Sequence, residues 1–336
     1  MWSLIKKISL LLLIFLSFFL KNLSSEQKSI IETEEEIKKI YQSIVRIDSI
    51  VPSDARTANS LGTERNGNGV IIDENHILTI GYIVLESEKI DVTLFDGRVI
   101  PAKVAAHDYT TGFGIITPII KTKLNHLPLG NSDNLSKEDF AFVLPFPNQG
   151  RGSAVKIVSR RPFSGWWEYY LENPIYTYPI NYSWAGSPLI NRQGEILGIG
   201  SLSVGETTPG IASLGNMFVP INSLKDILSD LKKHGKRTRD IKPYFGLSLE
   251  DSTGKVSILR VSKNGPAEKV GILPDDIISS INGKKISSLE DFYKTSWSFG
   301  GPGTEIKLDI ERQNENLSFK IKTGDRSDYY VKPKYF

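Results

Sequence analysis

The stretch GNGVIIDENHILTIGYIVL, Gly67 to Leu85, is where the hydrophobic period of the chain settles to that of strands. Val70-Ile71-Ile72 and Ile77-Leu78-Thr79 are short apolar runs, and Asp73-Glu74-Asn75 between them are turn formers, so the stretch reads as two strands joined by a tight connection. Val92-Thr93-Leu94-Phe95 and Val99 to Ala105 repeat the pattern around the hairpin pair Asp96-Gly97. Many short strands at this spacing, continuing to about Pro220, predict a sandwich or a barrel.

On the N-terminal side, an acidic segment from Glu26 to Glu36 leads into Ile37, Ile40, Tyr41 and Ile44, whose spacings of three and four predict an amphipathic helix. On the C-terminal side, Leu224, Ile227, Leu228 and Leu231 form one apolar helical face, with Ser223 as the expected cap, Asp226 three residues on, and Gly235 placed to end it. Beyond a boundary at Gly235 to Lys242, the last hundred residues read as a separate small α/β module. It has a strand at Val256, Ile258 and Val261, and a helix opened by the capping pattern Ser287-Ser288-Leu289-Glu290. Ile306, Leu308 and Ile310 alternate opposite Leu317, Phe319 and Ile321 as a hairpin around Gln313-Asn314-Glu315-Asn316.

A chain of 336 residues has room for two domains. A net charge of +3, from 41 basic and 38 acidic residues, is too balanced for a nucleic-acid groove. The basic run from Lys232 to Arg239 reads as a solvated connector. With no cysteine, disulfides, thiolate catalysis and zinc-thiolate sites are excluded, and no metal or cofactor is expected. Lys6-Lys7 followed by the apolar run Ile8 to Leu20 has the layout of a secretory signal peptide or signal anchor over residues 1–25. The run is shorter than the roughly 20 residues a spanning helix needs, and no A-x-A cleavage site follows it. Export is therefore the expectation, to the periplasm or cell envelope, with the N-terminal segment as the one membrane contact.

Seven segments, in order, resemble the HtrA/Deg family of exported trypsin-like serine proteases with C-terminal PDZ domains. They are GNGVIIDENHILT, DGRVIPAKVAAHD, LPLGNSDNL, GSAVKIVS, INYSWAGSPLINRQGEILGI, PYFGLSLED and NGPAEKVGILPDDIISSINGKKI. The resemblance implies a mainly β fold, a trypsin-like double antiparallel barrel over 26–234, a linker over 235–242, a PDZ domain over 243–325 and a tail over 326–336. It also implies assembly as a homotrimer or together with an active relative.

The chemistry departs from the family's. A serine protease needs a hydroxyl nucleophile, an imidazole to take its proton and a carboxylate to orient that imidazole. Carried over residue by residue, the resemblance puts Tyr82 at the imidazole position, Gly112 at the carboxylate position and Ala185 at the nucleophile position. Ser183, Trp184 and Ala185 then stand in the oxyanion loop. Trp184, Tyr82, Tyr178 and Tyr182 read either as extra core packing in the old cleft or as the lining of a ligand pocket. His76, His107, His126 and His234 read as surface or helix-terminal residues.

The PDZ-like module keeps the parts that peptide binding uses. Tyr244, Phe245, Gly246 and Leu247 match the loop that presents N–H groups to a C-terminal carboxylate. Leu247, Ser248 and Leu249 would form the open accepting strand, and Phe292 and Thr295 the helical wall. The expectation is a pseudoprotease that binds unfolded or C-terminal peptides or scaffolds an active relative. The alternative is an active endopeptidase of protein quality control with a relocated nucleophile and base, for which Ser183 and Ser187 are the nearest hydroxyls.

Overall fold

In the computed structural model, residues 34–331 are described; the expected signal segment, and the tail beyond Val331, lie outside them. The helix Glu34–Tyr41 is shorter than its pattern suggested, because Ile44 already begins the first strand. Six strands, β1 (Ile44–Ile50), β2 (Glu64–Ile71), β3 (Ile77–Ile80), β4 (Lys89–Thr93), β5 (Val99–His107) and β6 (Phe113–Pro118), close a barrel in the order β1-β2-β3-β6-β5-β4. The turn between β2 and β3 is held by Asp73, whose carboxylate accepts from Asn75 N at 2.9 Å and meets His76 Nδ1 at 2.7 Å.

A second barrel is built from β7 (Phe140–Val143), β8 (Ser153–Ser159), β11 (Ile175–Tyr178), β12 (Pro188–Ile190), β13 (Ile196–Val204) and β14 (Gly215–Pro220) in the order β11-β14-β13-β12-β7-β8. Between β8 and β11 a small hairpin, β9 (Phe163–Gly165) and β10 (Tyr169–Leu171), stands apart from both barrels. The double-barrel expectation is met.

Asn68 joins the barrels. Its N–H donates to Ala185 O at 2.8 Å, its Nδ2 donates to Ser183 O at 3.1 Å, and its Oδ1 accepts from Phe146 N at 2.7 Å. The fit allows no side chain at Gly186, which has φ 73°: an added Cβ would lie 1.9 Å from Asn68 O. The Gly67–Leu85 segment and the segment around Ala185 are therefore fitted to each other.

The helix after β14 differs from its sequence reading. It forms two turns, Asn222–Lys225 and Leu228–His234, and neither has a side-chain cap; Ser223 lies inside the first. Gly235 does end the second in the left-handed conformation, with Gly235 N donating to Leu231 O at 3.0 Å. The basic run is not simply solvated. Lys232 pairs with Asp73, and Arg237 makes a two-pronged contact with Asp108 at 2.9 and 3.0 Å.

The C-terminal module is one sheet, β15 (Leu247–Glu250), β16 (Val256–Val261), β17 (Ile277–Ile281), β19 (Glu305–Arg312) and β20 (Glu315–Lys322), with β18 (Lys284–Lys285) paired to β17. The β19–β20 connection is tighter than expected, with Gln313 and Asn314 both at positive φ, as a two-residue hairpin requires. The helix Leu289–Trp297 is capped by Ser288, whose side chain accepts from Asp291 N. After β20 the chain returns to the first barrel, where Arg56 Nε donates to Tyr329 O at 2.7 Å and Val331 N donates to Glu86 Oε1 at 2.9 Å.

Asp108 is 2% exposed. Burial works against its ionisation, but Arg237 and the Thr111 donors outweigh it and hold the carboxyl below its usual range. Arg237→Ala leaves that carboxylate buried and unpaired, and is expected to cost about 3 kcal/mol. Urea unfolding measures it; a change below about 1 kcal/mol would mean that the pair is effectively a solvated one.

Candidate functional site: the inter-barrel cleft and the PDZ groove

Tyr82 lies on the 3-10 turn Gly81–Ile83 that follows β3. Its hydroxyl donates to Ser201 O of the second barrel at 3.0 Å, and burial pushes the phenol far above its ordinary value. Gly112, at φ 83°, accepts from Gly81 N at 2.7 Å. A Cβ at Gly112 would meet the Tyr169 hydroxyl at 3.2 Å, and that hydroxyl donates to Thr111 O at 2.7 Å. Ala185 packs half-buried against the core, and its carbonyl accepts from Asn68 N. Tyr82, Gly112 and Ala185 thus gather where the barrels meet, and the space among them holds phenols and a methyl group.

Neither nearby serine has an imidazole. Ser183 Oγ donates to Gln149 O at 2.6 Å, and Ser187 Oγ donates to Ser183 O at 2.5 Å. Among the described residues no histidine nitrogen is hydrogen-bonded to a hydroxyl; His76 holds Asp73 instead. The Ser183 N–H points to Asn181 Oδ1 at 2.9 Å, so it is not offered to a ligand. Trp184 is part of this packing, its buried Nε1 directed at the Tyr82 hydroxyl without reaching good hydrogen-bond geometry. Tyr178 and Tyr182, expected beside it, are 49% and 76% exposed and do not fill the cleft. Tyr169 takes that place.

His107 corrects another expectation. Its ring lies against Gly81, where an added Cβ would be 2.2 Å from Nε2, and its Nδ1 is buried without a partner. Burial lowers its pKa to about 4, with the Asp108 charge acting upward and Arg326 acting downward. The folded protein then binds fewer protons than the unfolded chain between about pH 6.5 and 4, so stability falls as pH drops through that window.

The PDZ groove is not open. Glu168, at the tip of the β9–β10 hairpin, puts its carboxylate into the loop Tyr244–Leu247. Phe245 N donates to Oε2 at 2.9 Å, and Gly246 N and Leu247 N donate to Oε1 at 2.6 and 2.7 Å. Leu249 N donates to Trp166 O at 2.8 Å, so the free edge of β15 is covered. Burial pushes the Glu168 carboxyl above its usual range, against the pull of the three N–H donors and Arg326. Ser248 is half-buried on this strand.

The helical wall is also other than expected. Phe292 is fully buried in the core against Phe245 and Tyr293, and no hydrogen bond or ring contact joins Thr295 to the hairpin. Tyr293 and Trp297 face it instead: Tyr293 donates to Gly165 O at 2.6 Å, and the Tyr170 ring lies 6.3 and 5.9 Å from the rings of Tyr293 and Trp297. The one sequence signal for this contact was the run Trp166-Trp167-Glu168-Tyr169-Tyr170, a concentration of large rings in a connection between strands.

Residues 67–199 match the trypsin-like peptidase domain, and residues 243–323 match the PDZ domain. The chain is similar to the periplasmic pH-dependent serine endoprotease DegQ of Escherichia coli, 28% identical over 269 residues, covering 76% of this chain and 58% of that protein. It is also similar to a probable periplasmic serine endoprotease DegP-like of Chlamydia trachomatis, 28% identical over 271 residues, covering 76% and 53%. The chain thus has a trypsin-like peptidase domain followed by a PDZ domain, and it is similar to HtrA/Deg proteases along most of its length. It spans little more than half the length of these HtrA/Deg relatives. In fold it superposes on the serine endoprotease from Yersinia pestis with TM-score 0.53 and 22% identity, over 88% of this chain and 99% of that one. The HtrA-type protease AlgW with tripeptide gives TM-score 0.53 at 18% identity, over 89% and 97%.

His107→Phe keeps a ring on Gly81 and removes the ionisation. The loss of stability between pH 7 and pH 5 is expected to shrink by at most about 2 kcal/mol, the linkage value for a histidine moved from 6.5 to 4. Urea unfolding at the two pH values checks it; an unchanged difference would place the ring in solvent.

Proposed function

We propose that this HtrA/Deg-like chain is a pseudoprotease of the cell envelope that recognises unfolded or C-terminal peptide segments, or scaffolds an active relative, without cutting them. The observation that carries this reading is the bond from the Tyr82 hydroxyl to Ser201 O. At the position where the family's imidazole would accept a proton, a phenol already donates one to the backbone. A phenol is a poor base at neutral pH even when unperturbed, and burial makes it poorer still.

The surroundings agree. Ala185 has no oxygen to attack a carbonyl, Gly112 has no carboxylate, and the Ser183 N–H, one of the two donors an oxyanion hole would need, is turned to Asn181. Ser183 and Ser187 hydroxyls both donate to carbonyls, which weighs against a relocated nucleophile. Losing triad members leaves only the residual catalysis of binding and oxyanion donors, about a thousandfold to ten-thousandfold over water, which is negligible for a peptide bond.

Export is proposed from the basic-then-apolar N-terminus and from the periplasmic relatives. Among the described residues no helix is long and apolar enough to cross a membrane, which leaves the N-terminal segment as the proposed membrane contact. A homotrimer, or an assembly with an active relative, is proposed from the family alone. For the homotrimer, light scattering of the purified chain at three times its mass is the expected result, and a clean monomer would contradict it.

The purified protein is expected to show no casein turnover and no labelling by a fluorophosphonate probe. Robust turnover that disappears in Ser183→Ala or Ser187→Ala would establish the endopeptidase reading instead.

A further inference from the structure

We propose that the PDZ groove of this protein carries its own ligand: the β9–β10 hairpin occupies it in cis, and the peptides it recognises are those that displace the hairpin, with a free C-terminal carboxylate and an aromatic residue two positions before it. The inference rests on the peptide-binding reading above and adds its competitor and its specificity.

The hairpin satisfies the groove as a peptide would. In strand addition, a ligand supplies a carboxylate to the loop N–H groups and pairs its backbone with the strand edge. Here the Glu168 side chain supplies the carboxylate to Phe245, Gly246 and Leu247 N–H, and Trp166 O, two residues earlier, accepts from Leu249 N. The register defines the template. The Trp166 ring lies under the Arg260 guanidinium at 4.9 Å, so the position two before the carboxylate is read by a cation over an aromatic face.

The groove also closes around the hairpin from outside. Tyr293 holds Gly165 O, and Arg326, from the segment after β20, donates to Glu168 O at 2.9 Å. Glu168 has φ 54°, a left-handed conformation that glycine adopts freely. Its replacement by glycine therefore removes the carboxylate while favouring the same turn.

Release of the hairpin would reach the cleft directly. Tyr169 follows Glu168, and its hydroxyl is the group that holds Thr111 O beside Gly112. A peptide that expels Glu168 draws on the same short segment that blocks the space between the barrels.

The test uses the full chain and a fluorescein-labelled decapeptide ending in Gly-Trp-Trp-Val with a free carboxylate, its C-terminal amide as control. Wild type is expected to bind weakly, because only the small open fraction is competent, and Glu168→Gly to bind about tenfold tighter or more, with the gain lost on the amide. Chymotrypsin, which cuts after aromatic residues, is expected to cleave the variant's hairpin faster. Tyr293→Phe, an isosteric change that removes the bond to Gly165, should shift both readouts in the same direction and covers a Glu168→Gly protein that fails to fold. Equal affinity in wild type and variants would overturn the inference while leaving peptide binding intact. No binding by any protein, with faster hairpin cleavage in the variants, would keep the cis contact and defeat the peptide-binding reading; no binding and unchanged cleavage would overturn the inference.

Discussion

The carboxylate of Glu168 sets the constraint on which the arrangement of the two domains depends. A buried carboxylate without hydrogen bonds costs several kcal/mol, and here the donors are three consecutive N–H groups that belong to the other domain. While Glu168 serves those donors, the hairpin tip is held at the PDZ loop and the PDZ loop is held by the barrels. The segment beyond β20 reinforces the same geometry from the opposite side, through Arg326 to Glu168 O and through Tyr329 and Val331 to Arg56 and Glu86. The linker adds Arg237 on Asp108. Three separated parts of the chain thus fix one orientation.

The same constraint reaches the inter-barrel space because Tyr169 is the next residue. Its hydroxyl stands 3.2 Å from where a Cβ on Gly112 would be, so a side chain at that position would have to compete with a ring that the hairpin holds in place. Tyr82, tied to Ser201, fills the neighbouring volume. The proposed loss of proteolysis is in keeping with the packing as well as with residue identity: an acid at Gly112 would press on the Tyr169 hydroxyl and would have to adopt φ 83°, which disfavours any side chain. Catalysis by a triad depends on groups being both present and correctly placed, and Tyr82, Gly112 and Ala185 offer no imidazole, carboxylate or aliphatic hydroxyl at the place where the barrels meet.

Much of this fold was legible in the sequence because period-two apolar runs and turn residues are local signals. The β2–β3 stretch, the Asp96-Gly97 turn and the Gly235 terminator were read from their own neighbourhoods and found in place, and the cap of the Leu289–Trp297 helix was found one residue later than its Ser287-to-Glu290 pattern, on Ser288 with Asp291. The gathering of Tyr82, Gly112 and Ala185 came from motif order, which carries long-range information that periodicity lacks. What was missed depends on tertiary contact. Ser223 has cap chemistry but falls inside a turn, and Phe292 has the right helix but faces the core. His107 is half-buried, with its ring against Gly81, a residue distant in sequence. Glu168 was hidden most completely, since a glutamate in a connection between strands looks solvated until another domain supplies its donors.

The exchange rates of the Leu247 and Leu249 amides in the wild-type protein, followed by native-state hydrogen exchange, report whether the hairpin covers the PDZ groove in solution. An N–H bonded within a covered edge exchanges only on opening of that contact, whereas one on a bare edge exchanges readily. Both amides, with those of Phe245 and Gly246, are expected to be protected to the degree of the barrel strands. Exchange of Leu247 and Leu249 at the rate of an uncovered strand edge, while the barrels remain protected, would contradict that expectation.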